Sequence, residues 1–139
     1  MCKGESRSEE GDEVAIKTIC RSRVSRETET VLREVRILKM LQGTPGVLQL
    51  KDFCYDASNF YLVTDLYEMN LFQYMNYNVN KLTESAIRDI FEMVVRALDS
   101  CHSTHSIVHC DIKPENILLN TDKTSGKITK LCVCDFGMA

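Results

Sequence analysis

Hydrophobic and polar positions follow two periods along this chain, one typical of strands and one typical of helices. Residues 1–13 are polar and acidic, so we expect a disordered lead-in there. Residues 14–19 form a β-rich run, which predicts a strand with Lys17 on one of its faces. From about Glu27 to Leu41, apolar side chains recur near one face at helical spacing, which predicts a helix.

Shorter elements follow in the middle of the chain. Gly, Thr and Pro at residues 43–46 are expected to end the helix. Residues 47–50 and 60–64 have the composition of two strands, and a turn is expected between them at residues 56–59. Residues 71–75 predict a short helix or turn.

The longest helical pattern begins after Thr83, which suits the N-cap position, with Glu84 in the first turn. An apolar stripe runs along the helix, and we interpret it as core rather than as a ligand site. Near the end of the chain, residues 128–134 predict a strand that leads directly into Asp135. The stripe consists of Ile87, Ile90, Phe91, Val94, Leu98 and Cys101.

A polar loop lies between two apolar runs at residues 107–119 and carries Asp111, Lys113 and Asn116. A strand, a turn and a second strand would aim these three side chains at one point. An acid, a cation and an amide there suit a metal-bound phosphate and a hydroxyl that loses a proton. Taken alone, the loop also has the composition of a surface turn.

Composition narrows the class of protein. The chain has 139 residues and a formal net charge of −3, which fits one domain and gives no basic field for nucleic acid. The apolar runs are too short to span a bilayer, so we expect no membrane partner. Seven cysteines without a Cys-x-x-Cys pair, and a polar N-terminus, favour a reducing intracellular location, cytoplasm or nucleus.

Three motifs together resemble the eukaryotic protein kinases: residues 14–17 with Glu34, the loop at residues 109–116, and Asp135-Phe136-Gly137. The resemblance implies an α+β, partial two-lobed protein kinase-like fold. Residues 14–66 would form the small lobe and residues 67–139 the start of the large lobe.

The resemblance also implies how ATP and Mg²⁺ would be held. Lys17 would hold the α- and β-phosphates and pair with Glu34, whose place on or beside the apolar stripe calls for a cationic partner. Asn116 and Asp135 would bind Mg²⁺.

For the transfer step, the resemblance implies that Asp111 accepts or orients the proton of a protein Ser/Thr hydroxyl. Lys113 would steady the γ-phosphate, as in serine/threonine-type loops. Cys110 departs from the Arg that usually precedes the Asp, so control through a phosphate on the activation loop should be weak or absent. The His-Cys-Asp sequence resembles the dual-specificity tyrosine-regulated kinases, whereas residues 27–64 resemble calmodulin-dependent kinases equally well, and the subfamily stays open.

The adenine side of the pocket is implied by position within the family pattern. Thr64 would be the gatekeeper, and Asp65 to Tyr67 would form the hinge that offers backbone hydrogen bonds. Ala15 and Leu118 would sandwich the adenine ring, and Asn70 would follow the hinge at the nucleotide. Ordinary core packing would explain the apolar members of this set equally well.

Two further groups have an expected place. Leu38, His109 and Phe136 would stack as a column that links the lobes. Cys134 would lie at the back of the pocket as a buried structural thiol, with an electrophile-reactive thiol as the alternative.

Two functions remain open. In the first, the chain is an ATP-dependent protein serine/threonine kinase present as an incomplete domain. It would lack the Gly-rich loop and everything after the Asp-Phe-Gly motif, and we expect weak or no turnover by the isolated chain. In the second, it is a truncated, non-catalytic kinase-like binding module. Without the later helices of the large lobe, the apolar stripe after Thr83 would be partly bare, which favours aggregation or association.

Overall fold

Two antiparallel sheets organise the part of the chain that this computed structural model describes, which is residues 2–5, 13–21, 25–79 and 82–139. The first sheet has the order β1-β2-β4-β3 and the second has the order β5-β6-β7. The strands of the first sheet are β1 (Cys2–Glu5), β2 (Glu13–Cys20), β3 (Leu50–Tyr55) and β4 (Asn59–Asp65). The second sheet consists of β5 (Met69–Asn70), β6 (Ile117–Thr121) and β7 (Ile128–Val133).

Three α-helices accompany the sheets within the described residues. They are α1 (Ser25–Met40), α2 (Leu71–Tyr77) and α3 (Glu84–Asp99), and α3 continues into a π-helical turn at Ser100–Thr104. The N-caps of the last two follow from sequence. Thr83 accepts a hydrogen bond from the Ala86 amide at 3.2 Å, and Asn70 and Gln73 form a reciprocal capping box.

The first sheet and α1 bury one face against each other. Strand β4 alternates buried Phe60, Leu62 and Thr64 with less buried neighbours, the period-two pattern of a sheet with one face on the core. Helix α1 contributes Val31, Val35 and Leu38 to the same hydrophobic cluster, and Leu41 directly after the helix joins them, as the periodicity predicted.

The second sheet packs on α2 and α3 through a separate cluster that includes Tyr74, Ile90, Val94 and Leu119. The apolar stripe of α3 is only partly covered. Ile90, Val94 and Cys101 are buried, whereas Ile87 and Phe91 are exposed. The α+β, partial two-lobed protein kinase-like fold expected from the sequence is confirmed.

The lead-in prediction was wrong for residues 2–5. They form β1, which pairs antiparallel with β2 and places Lys3 opposite Ala15. Edge-strand pairing satisfies backbone groups without a hydrophobic side-chain pattern, so composition did not reveal it. Met1 and residues 6–12 of the expected lead-in lie outside the described residues.

Two of the strands predicted from sequence do not form in the described part of the chain. In the predicted strand at residues 47–50, Val47 makes only an isolated parallel bridge to Val133, and β3 starts at Leu50. Gly46, at φ +74°, turns the chain so that its backbone bonds go to β7. The run before the central loop, residues 107–109, is not a strand, because Ser106 and Cys110 on either side have positive φ and interrupt an extended ladder.

No helix among the described residues is long and apolar enough to cross a membrane.

Candidate functional site

A cleft of about 440 Å³ lies between the two sheets. Its walls come from β2, α1, β4, the following connector and the segment from Glu115 to Asp135. Most of the residues predicted from sequence to contact nucleotide or metal line this one cleft. They are Ala15, Lys17, Glu34, Thr64, Asp65, Tyr67, Asn70, Asn116, Leu118 and Asp135. Asp111 and Lys113 are outside this lining and lie beside it, joined to it through Asn116.

Lys17 and Glu34 form the ion pair expected from the sequence. The Lys17 ammonium lies 2.9 Å from Glu34 Oε2 and 3.3 Å from Oε1. The carboxylate side chain is only 6% exposed, whereas the Lys17 side chain is 37% exposed. A buried carboxylate needs a cation for its stability, and a cation that keeps solvent access can also bind an anion in the cleft.

Asp111, Lys113 and Asn116 form one hydrogen-bonded group in the central loop. Lys113 Nζ donates to Asp111 Oδ2 at 2.7 Å, and Asn116 Nδ2 donates to the same oxygen at 3.0 Å. The hydrogen bond from Lys113, with its positive charge, lowers the pKa of the Asp111 carboxyl, and the Asn116 hydrogen bond acts in the same direction. Asp111 is therefore an ionised hydrogen-bond acceptor at neutral pH.

His109 holds this loop against the strand end that carries Asp135. The Asp111 amide donates to His109 Nδ1 at 3.2 Å, and His109 Nε2 lies 2.9 Å from the carbonyl oxygen of Cys134. Because a carbonyl can only accept, both contacts are satisfied by the neutral tautomer with its proton on Nε2. The ring also packs on Phe136, with centroids 4.6 Å apart.

Asn116 and Asp135 present oxygen donors to the same cleft. Both hydrogen bonds of the Asn116 side chain use Nδ2, which leaves Oδ1 available. An amide oxygen and a carboxylate are ligands that Mg²⁺ prefers. The two residues present therefore fit a magnesium ion.

Two residues expected on the adenine side, Asn70 and Asp65, make side-chain contacts that the sequence did not predict. Asn70 lines the cleft, but its Oδ1 accepts from the Gln73 amide at 2.8 Å and so caps α2. Asp65 pairs through its carboxylate with Lys51 at 3.0 Å and with Lys130 at 3.5 Å. The backbone of Asp65 is engaged as well, since its amide donates to the Gln49 carbonyl oxygen and its carbonyl oxygen accepts from the Thr64 hydroxyl, each at 3.3 Å. The hinge role of Asp65 stays a prediction.

The two cysteines singled out from the sequence differ in environment. Cys134 lines the cleft, and burial raises the pKa of its thiol to about 12. A thiol that stays protonated is a poor nucleophile, which supports the structural interpretation over the reactive one. Cys110 is exposed and has φ 65°.

Sequence reasoning missed the residues that join the connector to the second sheet. Glu68 bonds to Asn120 and Thr121, and Lys130 lies 4.9 Å from the centroid of the Tyr67 ring. These side chains are ordinary polar residues of strand ends and connectors. The separation of 52 positions between Glu68 and Asn120 left no local pattern to detect.

A sheet lysine paired with a helix glutamate lies across a single cleft from Asn116 and Asp135, within the two-lobed α+β architecture of a protein kinase-like fold. A family model described as the protein kinase domain matches residues 2–139. The chain belongs to the protein kinase domain family.

The curated relatives are protein kinases from several organisms. The chain is 35% identical over 130 residues to the putative ribosomal protein S6 kinase alpha-2 of Caenorhabditis elegans, covering 94% of this chain and 16% of that protein. It is 34% identical over 131 residues to calcium-dependent protein kinase 4 of Plasmodium falciparum, covering 93% and 24%. It is 33% identical over 132 residues to CBL-interacting serine/threonine-protein kinase 15 of Arabidopsis thaliana, covering 93% and 29%. The chain thus spans between 16% and 29% of the length of these relatives.

Proposed function

We propose that this chain carries the phosphate-handling and catalytic centre of an ATP-dependent protein serine/threonine kinase. The observation that carries the proposal is the convergence of the Lys17–Glu34 ion pair with Asn116 and Asp135 on one cleft. These groups come from four separate parts of the chain, and core packing alone gives no reason for two more polar side chains to line the same cleft as a partly exposed ion pair.

Lys17 is assigned to the α- and β-phosphates of ATP. Its ammonium is held on one side by the buried Glu34 carboxylate and keeps 37% of its side-chain surface exposed. The pairing fixes the direction of a flexible side chain, so less rotamer freedom is lost when an anion binds.

Asn116 and Asp135 are assigned to Mg²⁺, since both supply oxygen donors and line the same cleft. When bound there, Mg²⁺ would offset the charge of the phosphate oxygens. Asn116 also fixes the position of Asp111 through Nδ2, so the metal-side and acceptor-side groups are held by one amide.

Asp111 is assigned to the substrate hydroxyl. Its carboxylate is 35% exposed, is kept ionised by Lys113, and can accept a hydrogen bond from an incoming hydroxyl. Lys113 lies two residues after Asp111, which is the serine/threonine-type pattern, and the Arabidopsis relative is named a serine/threonine-protein kinase. We therefore assign Ser/Thr side chains of proteins as the substrate class.

Cys110 takes the place of the Arg that usually precedes this Asp, and its Sγ contacts the carbonyl oxygen of Val108 at 3.5 Å. A thiol cannot bind a phosphate bidentately. We therefore infer that activity does not depend on a phosphate captured at this position, a property that also fits the His-Cys-Asp resemblance to the dual-specificity tyrosine-regulated kinases.

Nucleotide binding by the purified chain tests the proposal without requiring turnover. A fluorescent ATP analogue should bind in the presence of Mg²⁺, and Lys17→Met and Asp135→Asn should each weaken binding by about tenfold or more. Lys39→Met is a matched control, because Lys39 is exposed in the last turn of the same helix as Glu34. No Mg²⁺-dependent binding by the unmodified chain would overturn the proposal.

Phosphate transfer to protein substrates then separates the two functions that the sequence left open. If the chain is a kinase, its transfer of phosphate should be measurable, and Asp111→Asn should abolish it. The alternative, a non-catalytic kinase-like binding module, is favoured by the exposed apolar residues of α3, among them Phe91 at 69% exposure. Binding of nucleotide with no transfer, and association through α3 that survives Asp111→Asn, would support that alternative.

A further inference from the structure

The connector between the two sheets, residues 65–68, lines the cleft along its whole length. It follows β4 and precedes β5, and it has no regular secondary structure after Asp65. Its position relative to the second sheet therefore depends on side-chain contacts. Three of its four residues make such contacts, through Asp65, Tyr67 and Glu68.

Glu68 makes a reciprocal set of hydrogen bonds with the end of β6. Its backbone amide donates to Asn120 Oδ1 at 2.9 Å. Its carboxylate oxygen Oε2 accepts from the Thr121 amide and from the Thr121 hydroxyl, each at 2.9 Å. These bonds join residues more than 50 positions apart, and each side supplies both donors and acceptors. Such a contact fixes both the distance and the orientation of the connector relative to β6.

Lys130 on β7 holds the other end of the connector. Its ammonium lies 3.5 Å from Asp65 Oδ2 and 4.9 Å from the centroid of the Tyr67 ring. Burial raises the pKa of the Tyr67 phenol, and the neighbouring Cys132 thiol on β7 acts in the same direction. Tyr67 is thus the half-buried centre of the contact, with Glu68 and Asp65 at its polar edges.

We propose that Glu68, acting with Asn120 and Thr121, is a positioning residue that holds the nucleotide-facing connector against the second sheet and thereby sets the affinity of the cleft for nucleotide. This inference rests on the proposed function. Glu68 lies at the rim of the cleft, and its effect is exerted through the backbone of residues 65–67.

Because Glu68 is exposed, its effect on nucleotide binding can be distinguished from an effect on the stability of the whole fold. The residue is exposed and belongs to neither hydrophobic cluster, so its removal leaves no unpaired group in the core. The substitution of Glu68 instead removes a restraint on the connector, a short segment without regular structure. A restraint of that kind changes local opening, and it changes binding because an ordered site loses less entropy when a ligand binds.

Three variants and one control test the inference. Glu68→Ala removes the carboxylate, Thr121→Val removes only the hydroxyl, and the double variant tests whether the two act through each other. Glu92→Ala is the control, because Glu92 is likewise an exposed glutamate whose carboxylate has a partner, in its case Arg96 on the same helix. Two measurements are made on each: the dissociation constant of a fluorescent ATP analogue with Mg²⁺, and amide hydrogen exchange of residues 65–69 without nucleotide.

We expect Glu68→Ala to raise the dissociation constant roughly fivefold and Thr121→Val roughly twofold, with the double variant no weaker than Glu68→Ala. Exchange at residues 65–69 should accelerate in Glu68→Ala and stay unchanged in Glu92→Ala. Unchanged exchange in Glu68→Ala would overturn the inference, and so would faster exchange with unaltered affinity or fully additive effects of the two substitutions. Failure of the unmodified chain to bind nucleotide would overturn the proposed function, while the exchange result would still decide whether Glu68 holds the connector.

Discussion

Removing the two partners of the Lys17–Glu34 pair should have unequal effects on folding. The pair joins a carboxylate that is 6% exposed to an ammonium side chain that is 37% exposed. Lys17→Met leaves a buried carboxylate without its cation. Glu34→Met leaves an ammonium that can turn towards water.

The magnitude follows from the burial of each group. Removing one partner of a fully buried ion pair costs about 3–5 kcal/mol. Since one side of this pair reaches solvent, we expect a loss of about 3 kcal/mol in the free energy of unfolding for Lys17→Met, and about 1 kcal/mol for Glu34→Met. The double variant, Lys17→Met with Glu34→Met, replaces the pair by two apolar side chains and should be more stable than Lys17→Met alone.

Urea unfolding followed by circular dichroism measures these losses, with Lys39→Met as the control for loss of a lysine charge. Nucleotide binding provides a second readout, because the double variant should regain stability without regaining affinity. If Glu34→Met cost as much as Lys17→Met, or if the double variant showed the sum of the two losses, the assignment of the carboxylate as the buried and dependent partner would be refuted.

Three further predictions concern other parts of the chain. Gly46→Ala should destabilise the fold by about 2–4 kcal/mol, because a Cβ there would lie 2.6 Å from Ala97 Cβ. Gly43→Ala is the control: Gly43 has a similar positive φ but open space around it, so the substitution should cost about 1 kcal/mol. Equal urea midpoints for the two variants would contradict this prediction. Phe91→Ser should raise the highest concentration at which light scattering still shows a monomer, since Phe91 is 69% exposed on α3. Ser100→Ala serves as the control. Lys113→Met should raise the pKa of Asp111 in a carboxyl NMR titration, because Lys113 is the main cause of its lowered value. The stability that this lowered pKa gives is present above the unfolded-state pKa and is lost as pH falls through the folded-state value. The variant should therefore be less stable than the unmodified chain near neutral pH, and the difference should disappear in acid.

Much of the fold could be predicted because local pattern and burial agree. The alternation around Leu62, the stripe of α1 with Glu34 at its edge, and the Thr83 cap can all be read from the spacing of residues within one element. The pairing of Lys17 with Glu34 could also be inferred, since a carboxylate beside an apolar stripe calls for a cation. In each of these cases the residue type is stable in only a few environments, so its environment can be predicted from the sequence.

The failed predictions share a different cause. Val47 and Leu48 have a strand composition, but Gly46 packs against Ala97, and the Gly46 carbonyl and the Leu48 amide bond to the backbone of Val133. That outcome depends on a helix 50 positions away, and single-sequence patterns do not report such contacts. The same is true of Glu68 in the candidate site, whose partners lie on β6.

The geometry around Asp111 explains why residue 110 can differ from the usual kinase pattern without disturbing the candidate catalytic group. Cys110 and Asp135 both have positive φ, a conformation that costs a non-glycine residue about 1–2 kcal/mol and persists only where neighbours enforce it. His109 is the neighbour that contacts both sides, through the Asp111 amide and the Cys134 carbonyl. The position of Asp111 is therefore fixed by the imidazole and by Asn116, and the exposed side chain at position 110 contributes nothing to it. A substitution there alters what the loop can bind from outside and leaves the arrangement of Asp111, Lys113 and Asn116 intact.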